Sequence, residues 1–178
     1  MFDRMEAFVR GIGKVACFVL LPAQVAITTF YVLARKLYNF QLTPLQELEW
    51  HCFFALVVLT FGMTLLADRH VRIDVAREHF SERTRAIIEI AGFFLALLPF
   101  SLAMVYFGAD LALKSFLTNE KSPAALGLPY RWIIKSLLPL GGVLLLAAGV
   151  VVTARNWRSL KRRPTDPAVP PLRPELTE

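Results

Sequence analysis

Four apolar stretches, each long enough to cross a membrane, dominate this chain of 178 residues. They run over Val15–Ala34, Trp50–Ala67, Ala86–Phe107 and Trp132–Thr153. Each holds about 17–22 mostly hydrophobic residues, the length that a helix needs to span roughly 30 Å of hydrocarbon. A soluble domain would interrupt its apolar residues with surface charge, whereas here most charges lie between the stretches. The sequence therefore predicts an all-α membrane protein with four transmembrane helices.

Little of the chain is left for any other domain. The longest gap between apolar stretches, residues 108–131, has about 24 residues, which is too short for an independent soluble domain. We predict an amphipathic lead-in helix at residues 1–14, a four-helix transmembrane domain at residues 15–155, and a basic, then proline-rich and disordered tail at residues 156–178. Apolar residues recur at helical spacing in the lead-in, so we expect it to lie on the cytoplasmic membrane surface.

Lys and Arg residues are distributed unevenly between the segments that flank the apolar stretches. The N-terminus, the segment between the second and third stretches and the tail carry 14 of the 20, and the other two loops with their helix ends carry 6. Because cytoplasmic segments are enriched in Lys and Arg, both termini and the 68–85 loop are predicted to be cytoplasmic. Basic residues that flank spans, rather than cover a soluble surface, argue against nucleic-acid binding.

Capping signals predict where several helices begin. Thr43-Pro44-Leu45-Gln46 combines an N-cap, a proline at the first helical position and a capping-box glutamine, so the second helix is predicted over Pro44–Ala67. Ser81 followed by Glu82 predicts another N-cap. Between these two helices, Asp68–Phe80 has an apolar side and a charged side, which predicts a short interfacial cytoplasmic helix.

The third helix is predicted to be longer than the membrane is thick. A helix over Glu82–Lys114 would be about 50 Å long at 1.5 Å per residue. It must therefore tilt, kink at Pro99 or protrude from the membrane. Asp110 and Lys114 are four residues apart near its outer end, so they are expected to pair. A reversal that contains proline and glycine follows at residues 122–129.

Residues that catalyse reactions or bind cofactors do not occur in the combinations that such chemistry needs. His51 is predicted on the opposite side of the membrane from His70 and His79, which excludes opposed axial ligands for a haem at one depth. Gly11-Ile12-Gly13-Lys14 lacks the spacing of a phosphate-binding loop, and no Ser/His/Asp or Cys/His set falls at one depth. We therefore expect no enzyme activity, no cofactor and no metal.

The interiors of the spans are poor in polar residues. Away from their ends they contain no Asp, Arg or Lys, and Glu89 lies about one turn inside the third. Transporters place ionisable residues or broken helices near the midplane, where the solute passes. A scaffold or accessory subunit is therefore a better prediction than a conduit. Small residues four apart, Gly92 with Ala96 and Gly108 with Ala112, are predicted surfaces for close helix packing with partners.

Two regions of the chain resemble one known family. The second span opens at Leu45-Gln46-Glu47-Leu48-Glu49-Trp50 and closes into Asp68-Arg69-His70-Val71-Arg72-Ile73-Asp74-Val75. The last span opens at Ser122-Pro123-Ala124-Ala125-Leu126-Gly127-Leu128-Pro129-Tyr130-Arg131-Trp132 and continues to Leu138-Pro139-Leu140-Gly141. Over about residues 10–155, the chain resembles the small (Q-type) four-helix membrane subunit of tripartite ATP-independent periplasmic (TRAP) transporters.

This resemblance implies a role in a complex of the bacterial inner membrane. In that family, a large M-type membrane subunit carries substrate and sodium ions by an elevator motion, and a periplasmic binding protein delivers an organic acid. The small subunit braces the large one. The alternative for the whole chain is an independent four-helix membrane protein, such as the membrane anchor of an enzyme complex or a small channel.

Charged and aromatic residues at the ends of the predicted helices are candidate contacts with these two protein partners or with phospholipid. They are Glu47, Glu49, Trp50, Arg69, His70, Arg72, Asp74, Lys121, Arg131 and Trp132. Arg72 and Asp74 are predicted to fix the turn after the second helix by charge pairs, while Arg69 meets lipid phosphate or the large subunit. A merely solvated loop is the alternative. Lys121 and Arg131 are predicted to steer the binding protein, with ordinary interfacial charge as the alternative.

Overall fold

Four long helices make up the described part of the chain. The computed structural model describes residues 2–38, 43–67, 81–124 and 126–161, and every regular element within them is helical. The helices are α1 (Phe2–Tyr38), α2 (Thr43–Leu66), α3 (Glu82–Gly92, Phe93–Leu97 and Leu98–Leu117 in continuous succession) and α4 (Arg131–Lys161). All four are long and apolar enough to cross a membrane, which confirms that part of the prediction. The interfacial helix predicted at Asp68–Phe80 lies outside the described residues, and so does the tail predicted at residues 156–178, except for residues 156–161, which belong to α4.

Helices α2 and α3 begin at or within one residue of their predicted starts. Helix α2 begins at Thr43, one residue before the predicted Pro44. Before α3, Ser81 has extended backbone angles, and its hydroxyl accepts a hydrogen bond from the Thr84 backbone N–H at 3.2 Å. The predicted pair in α3 also forms, since the Lys114 ammonium donates to the Asp110 carboxylate at 2.6 Å. These three features depend only on neighbouring residues.

Helix α3 ends later than predicted, at Leu117 rather than Lys114. The Thr118 backbone N–H still donates to the Lys114 carbonyl, so the last turn is complete. Asn119 then adopts a φ of 48°, in the left-handed region that Asn tolerates better than most residues, and this reversal ends the helix. The left-handed Asn119 thus marks the end of α3, before the reversal predicted at residues 122–129.

A π-helical turn precedes Pro99 and lets α3 continue through the proline. The five residues Phe93–Leu97 form this turn, and the Leu98 backbone N–H donates to the Phe93 carbonyl, five residues back. Pro99 follows directly, and a proline inside a helix lacks an N–H and crowds the carbonyl four residues before it. A wider turn at this point relieves that crowding while the helix continues. The break therefore lies just before the predicted kink site.

Helix α1 is not divided into a surface lead-in and a separate span. It continues without interruption past Lys14, the predicted boundary. The apolar side of the lead-in faces the other helices: Val9 is fully buried, and Phe2, Met5 and Ile12 pack against the core. These residues meet protein instead of lipid because α2 and α4 extend alongside this part of α1 and cover it.

Helix α4 organises the bundle. It packs against α1, α2 and α3, and the most extensive contacts join α1 to α2, α2 to α4, and α4 to α3. The helices therefore follow one another in the order α1, α2, α4, α3. Side chains from all four helices form the core cluster, whose members are Val9, Leu65, Leu66, Met104, Leu144, Leu145, Ala148 and Val151.

Glycines allow the helices to approach closely along this row. A Cβ atom added to Gly62 of α2 would lie 2.7 Å from a methyl group of Val9 and 2.8 Å from the backbone carbonyl oxygen of Leu144. Gly108 of α3 is packed in the same way, with Pro139 of α4 at 2.9 Å. Small residues at such contacts are the usual means of association between membrane helices. Gly108, predicted as a surface for partners, thus serves packing inside the chain.

We expect Gly62→Val to destabilise the protein. The added side chain meets a backbone carbonyl that cannot rotate away, and overpacking of this kind costs about 1–3 kcal/mol. Gly92→Val is the matched control, because a Cβ at Gly92 has no neighbour within 4 Å. Unfolding in detergent micelles measures both variants, and equal stability of the two would contradict close packing at Gly62.

Candidate partner-binding surfaces and the polar clusters at the two bundle ends

The bundle has two distinct ends. At one end, here called the terminal end, the beginning of α1 meets the last turns of α4: Arg155 forms an ion pair with Glu6, and the Arg158 guanidinium lies over the Phe2 ring, 5.2 Å from its centroid. At the other end, here called the loop end, the start of α2 meets the segment between α3 and α4. Both described ends of the chain therefore lie on the same side of the bundle.

At the loop end, Glu47 of α2 binds the segment between α3 and α4. It is the fifth residue of α2, and its carboxylate accepts hydrogen bonds from the Ser122 hydroxyl and from the Leu128 backbone N–H, the latter at 2.7 Å. Gly127 makes this approach possible, because a Cβ there would lie 2.9 Å from a Glu47 carboxylate oxygen. Glu47 thus joins α2 to the segment that enters α4, and the partner contact predicted for it stays a prediction.

At the same end of the bundle, an ion pair joins the segment after α3 to α4. The Lys135 ammonium donates to the Glu120 carboxylate, and this hydrogen bond holds the pKa of Glu120 below its usual value of 4.5. The Arg131 backbone N–H donates to the Glu120 carbonyl at 3.3 Å. Nearby, the Trp132 and Phe116 rings pack edge to face with centroids 5.4 Å apart. Arg131 and Trp132 are thus parts of the bundle's own framework.

A polar seam joins α1 to α2 on the loop-end side. The Thr28 hydroxyl donates to the Glu49 carboxylate at 2.9 Å, and the Gln24 amide lies 3.4 Å from the same hydroxyl. Within hydrocarbon, a hydroxyl that bonds to a neighbouring helix holds the two helices in register. Glu49 therefore has an internal partner, and the sequence pattern had not paired it with α1.

Two of the predicted contact residues remain open to a partner. The Trp50 side chain is 68% exposed, and an aromatic residue at the end of a span suits the membrane interface. Lys121 is exposed on the loop-end surface. Four other predicted residues, Arg69, His70, Arg72 and Asp74, lie outside the described part of the chain.

The terminal end holds a charge cluster that the sequence analysis did not identify. Glu6 bonds to Arg10 at 2.9 Å and also to Arg155, and Arg10 donates to the Leu66 carbonyl of α2 at 2.8 Å. A cation that bonds to the last carbonyls of a helix also suits the negative end of the helix dipole. The spacing of four residues between Glu6 and Arg10 favours the ion pair between these two residues. Nothing in the sequence pointed to Arg155 or Leu66.

Large apolar side chains cover the outward sides of α1 and α3. The most exposed of them are Phe18, Leu37, Tyr38, Leu95, Tyr106, Phe107 and Leu117. Exposure of this kind on helices long enough to span a bilayer requires lipid or a partner protein around the bundle. The two helices at the ends of the row thus present the widest surfaces for either.

Comparison with known proteins identifies one family. The family model described as "Tripartite ATP-independent periplasmic transporters, DctQ component" matches residues 24–159. The match covers α2, α3 and nearly all of α4, together with α1 from Gln24 onward. A search of curated proteins finds no match.

We expect Glu47→Ala to release the loop between α3 and α4. The Leu128 N–H then loses its acceptor, and an unmade hydrogen bond of this kind costs about 1–3 kcal/mol. Hydrogen exchange at Leu128 should accelerate by roughly tenfold or more. Glu49→Ala is the matched control, because Glu49 bonds to Thr28 and not to the loop. The same exchange rate in both variants would show that Glu47 does not hold the loop.

Proposed function

The chain belongs to the DctQ component family of tripartite ATP-independent periplasmic transporters, and on this premise we propose that it scaffolds the large transport subunit. In this role it is the small permease subunit of a sodium-coupled, binding-protein-dependent system that takes up an organic acid across the bacterial inner membrane. The family match is the observation that carries the proposal. The family is a transporter component and not an enzyme family, and membership implies association with the large membrane component and a substrate-binding protein.

Two features support a bracing role: the apolar outer sides of α1 and α3, and the bonds that charged residues form within the chain. The outward sides of α1 and α3 are apolar along much of their length, as a subunit embedded beside a larger membrane partner requires. Glu89 and Lys135, which lie near the ends of their spans, bond within the chain to Asn156 and Glu120. These residues serve the cohesion of the bundle, which suits a brace.

We propose that the terminal end is cytoplasmic and the loop end periplasmic. The unequal distribution of Lys and Arg supports this orientation, and the meeting of both described chain ends at one end agrees with an even number of crossings. In a variant without Cys17 and Cys52, cysteines introduced at Lys121 and Thr165 should react with an impermeant reagent from opposite sides. Labelling of both from the same side would contradict the proposed topology.

Complex assembly tests the scaffold role itself. We expect the chain to co-purify with the large subunit, and liposomes to take up the organic acid only when both membrane subunits and the binding protein are present. Arg72→Ala and Asp74→Ala should lower the yield of the complex and leave substrate affinity unchanged, since we propose that these residues fix the turn after α2 while Arg69 meets lipid phosphate or the large subunit. Uptake by this chain alone, or full uptake without it, would refute the proposal.

We propose that the exposed Lys121 helps to steer the binding protein to the loop end. Lys121→Glu should slow uptake about threefold or more when the binding protein is limiting, with a smaller effect at saturation, because a rim charge acts mainly on the rate of encounter. Added salt should reduce the difference. Arg131 was predicted for the same role, but its charge also acts on Glu47 and Glu120, so Lys121 gives the cleaner test.

Lys36→Glu is the matched control for this experiment. Lys36 is an exposed lysine in the last turn of α1, at the same end of the bundle as Lys121, which lies in the segment between α3 and α4. Both variants make the same change in net charge. If both reversals have the same effect on uptake, the change in overall charge explains the result. If neither reversal changes the uptake rate, this surface does not contribute to docking of the binding protein.

A further inference from the structure

An apolar groove runs along α1 where it packs on α2. Residues of α1, among them Phe8, Val15 and Val19, make up most of its lining, Leu59 of α2 completes it, and all the lining residues are apolar. Its volume is about 560 Å³, within the range of roughly 300–1,000 Å³ that is typical of ligand-binding pockets. Gly11 opens the groove, because a Cβ atom added there would have no neighbour within 4 Å.

The groove is about as long as a single lipid leaflet is thick. It extends from Phe8 to Leu20, about 18 Å along the helix at 1.5 Å per residue. One leaflet contributes about half of the roughly 30 Å hydrocarbon core, so the groove is about as long as the leaflet is thick. The groove starts near the terminal end, since Arg10 beside it bonds to the carbonyl of Leu66, the last residue of α2.

At this end of the groove, a positively charged side chain lies on the same face of α1 as the lining residues. Arg4, Phe8, Gly11 and Val15 are spaced by four, three and four residues, so they lie on one face of α1. Arg4 is exposed, one turn before Phe8. The carboxylate of Glu6 already bonds to two arginines, and exposed Asp3 lies about 100° around the helix from Arg4. The end of the groove therefore keeps a positive charge where lipid headgroups lie.

We propose that this groove binds one acyl chain of an anionic phospholipid, whose phosphate pairs with Arg4. Hydrocarbon fits a groove that offers no hydrogen-bonding group, and the basic end selects a negatively charged headgroup over a neutral one. The same charge would add nothing to the binding of an apolar helix from a partner. The site is formed by this chain alone, so it does not depend on the proposed transporter function.

Lipid binding to the purified, delipidated full chain tests the site. Native mass spectrometry would measure the dissociation constants of dioleoyl phosphatidylglycerol and dioleoyl phosphatidylcholine. Gly11→Leu fills the groove and should weaken the binding of phosphatidylglycerol at least tenfold. Gly92→Leu is the matched control, since Gly92 is also a helical glycine at which an added Cβ has no neighbour within 4 Å, and it should leave binding unchanged.

Arg4→Gln separates the headgroup from the acyl chain and also covers the case in which Gly11→Leu does not fold. It should weaken binding of phosphatidylglycerol about fivefold, the effect of one basic residue beside an anionic headgroup, and leave phosphatidylcholine unaffected. Unchanged phosphatidylglycerol binding in Gly11→Leu, or equal losses in Gly11→Leu and Gly92→Leu, would overturn the proposal. Loss of co-purifying large subunit in Gly11→Leu, with lipid binding intact, would overturn it too and assign the groove to the protein interface.

Discussion

Close contact between helix backbones is the constraint on which the rest of this structure depends. Within a bilayer, apolar side chains gain little by leaving lipid for protein, so helices associate through tight packing and a few polar bonds. Helix α4 achieves this on two sides at once: Gly141 meets Val58 of α2, and Gly142 lies against the Ser101 carbonyl and Met104 of α3. The order of the helices follows from this arrangement, because α4 can only lie between its two close neighbours.

Polar clusters at the two ends then fix the register of helices that glycines bring together. At the terminal end, Glu6 joins α1 to α4 while Arg10 joins α1 to α2. At the loop end, Glu47 holds the segment before α4. Charge-assisted bonds strengthen where water is scarce, and those near the hydrocarbon boundary therefore restrict sliding more than surface pairs would. A bundle tied at both ends, with apolar outer faces, has the properties that the proposed scaffold role requires.

Several features of the structure follow from a few neighbouring residues and could be predicted from them. The four spans, the start of α2, the cap at Ser81 and the pair of Asp110 with Lys114 depend on local composition and on spacings of three or four residues. The internal bonds of the candidate contact residues could not be predicted in this way. Glu47 accepts hydrogen bonds from Ser122 and Leu128, which lie 75 and 81 residues away in the chain, and no local spacing indicates such pairs.

Composition, spacing and motifs were thus enough to predict the class of the protein, the approximate limits of its helices and its family. The reason is that hydrophobic length, capping and charge distribution act over one helix at a time. The internal bonds of the residues at the helix ends, and the packing of the first turns of α1 against the core, became evident from the folded bundle alone. Those outcomes depend on which helices lie side by side, and that arrangement arises from glycine contacts and bonds between residues distant in the chain.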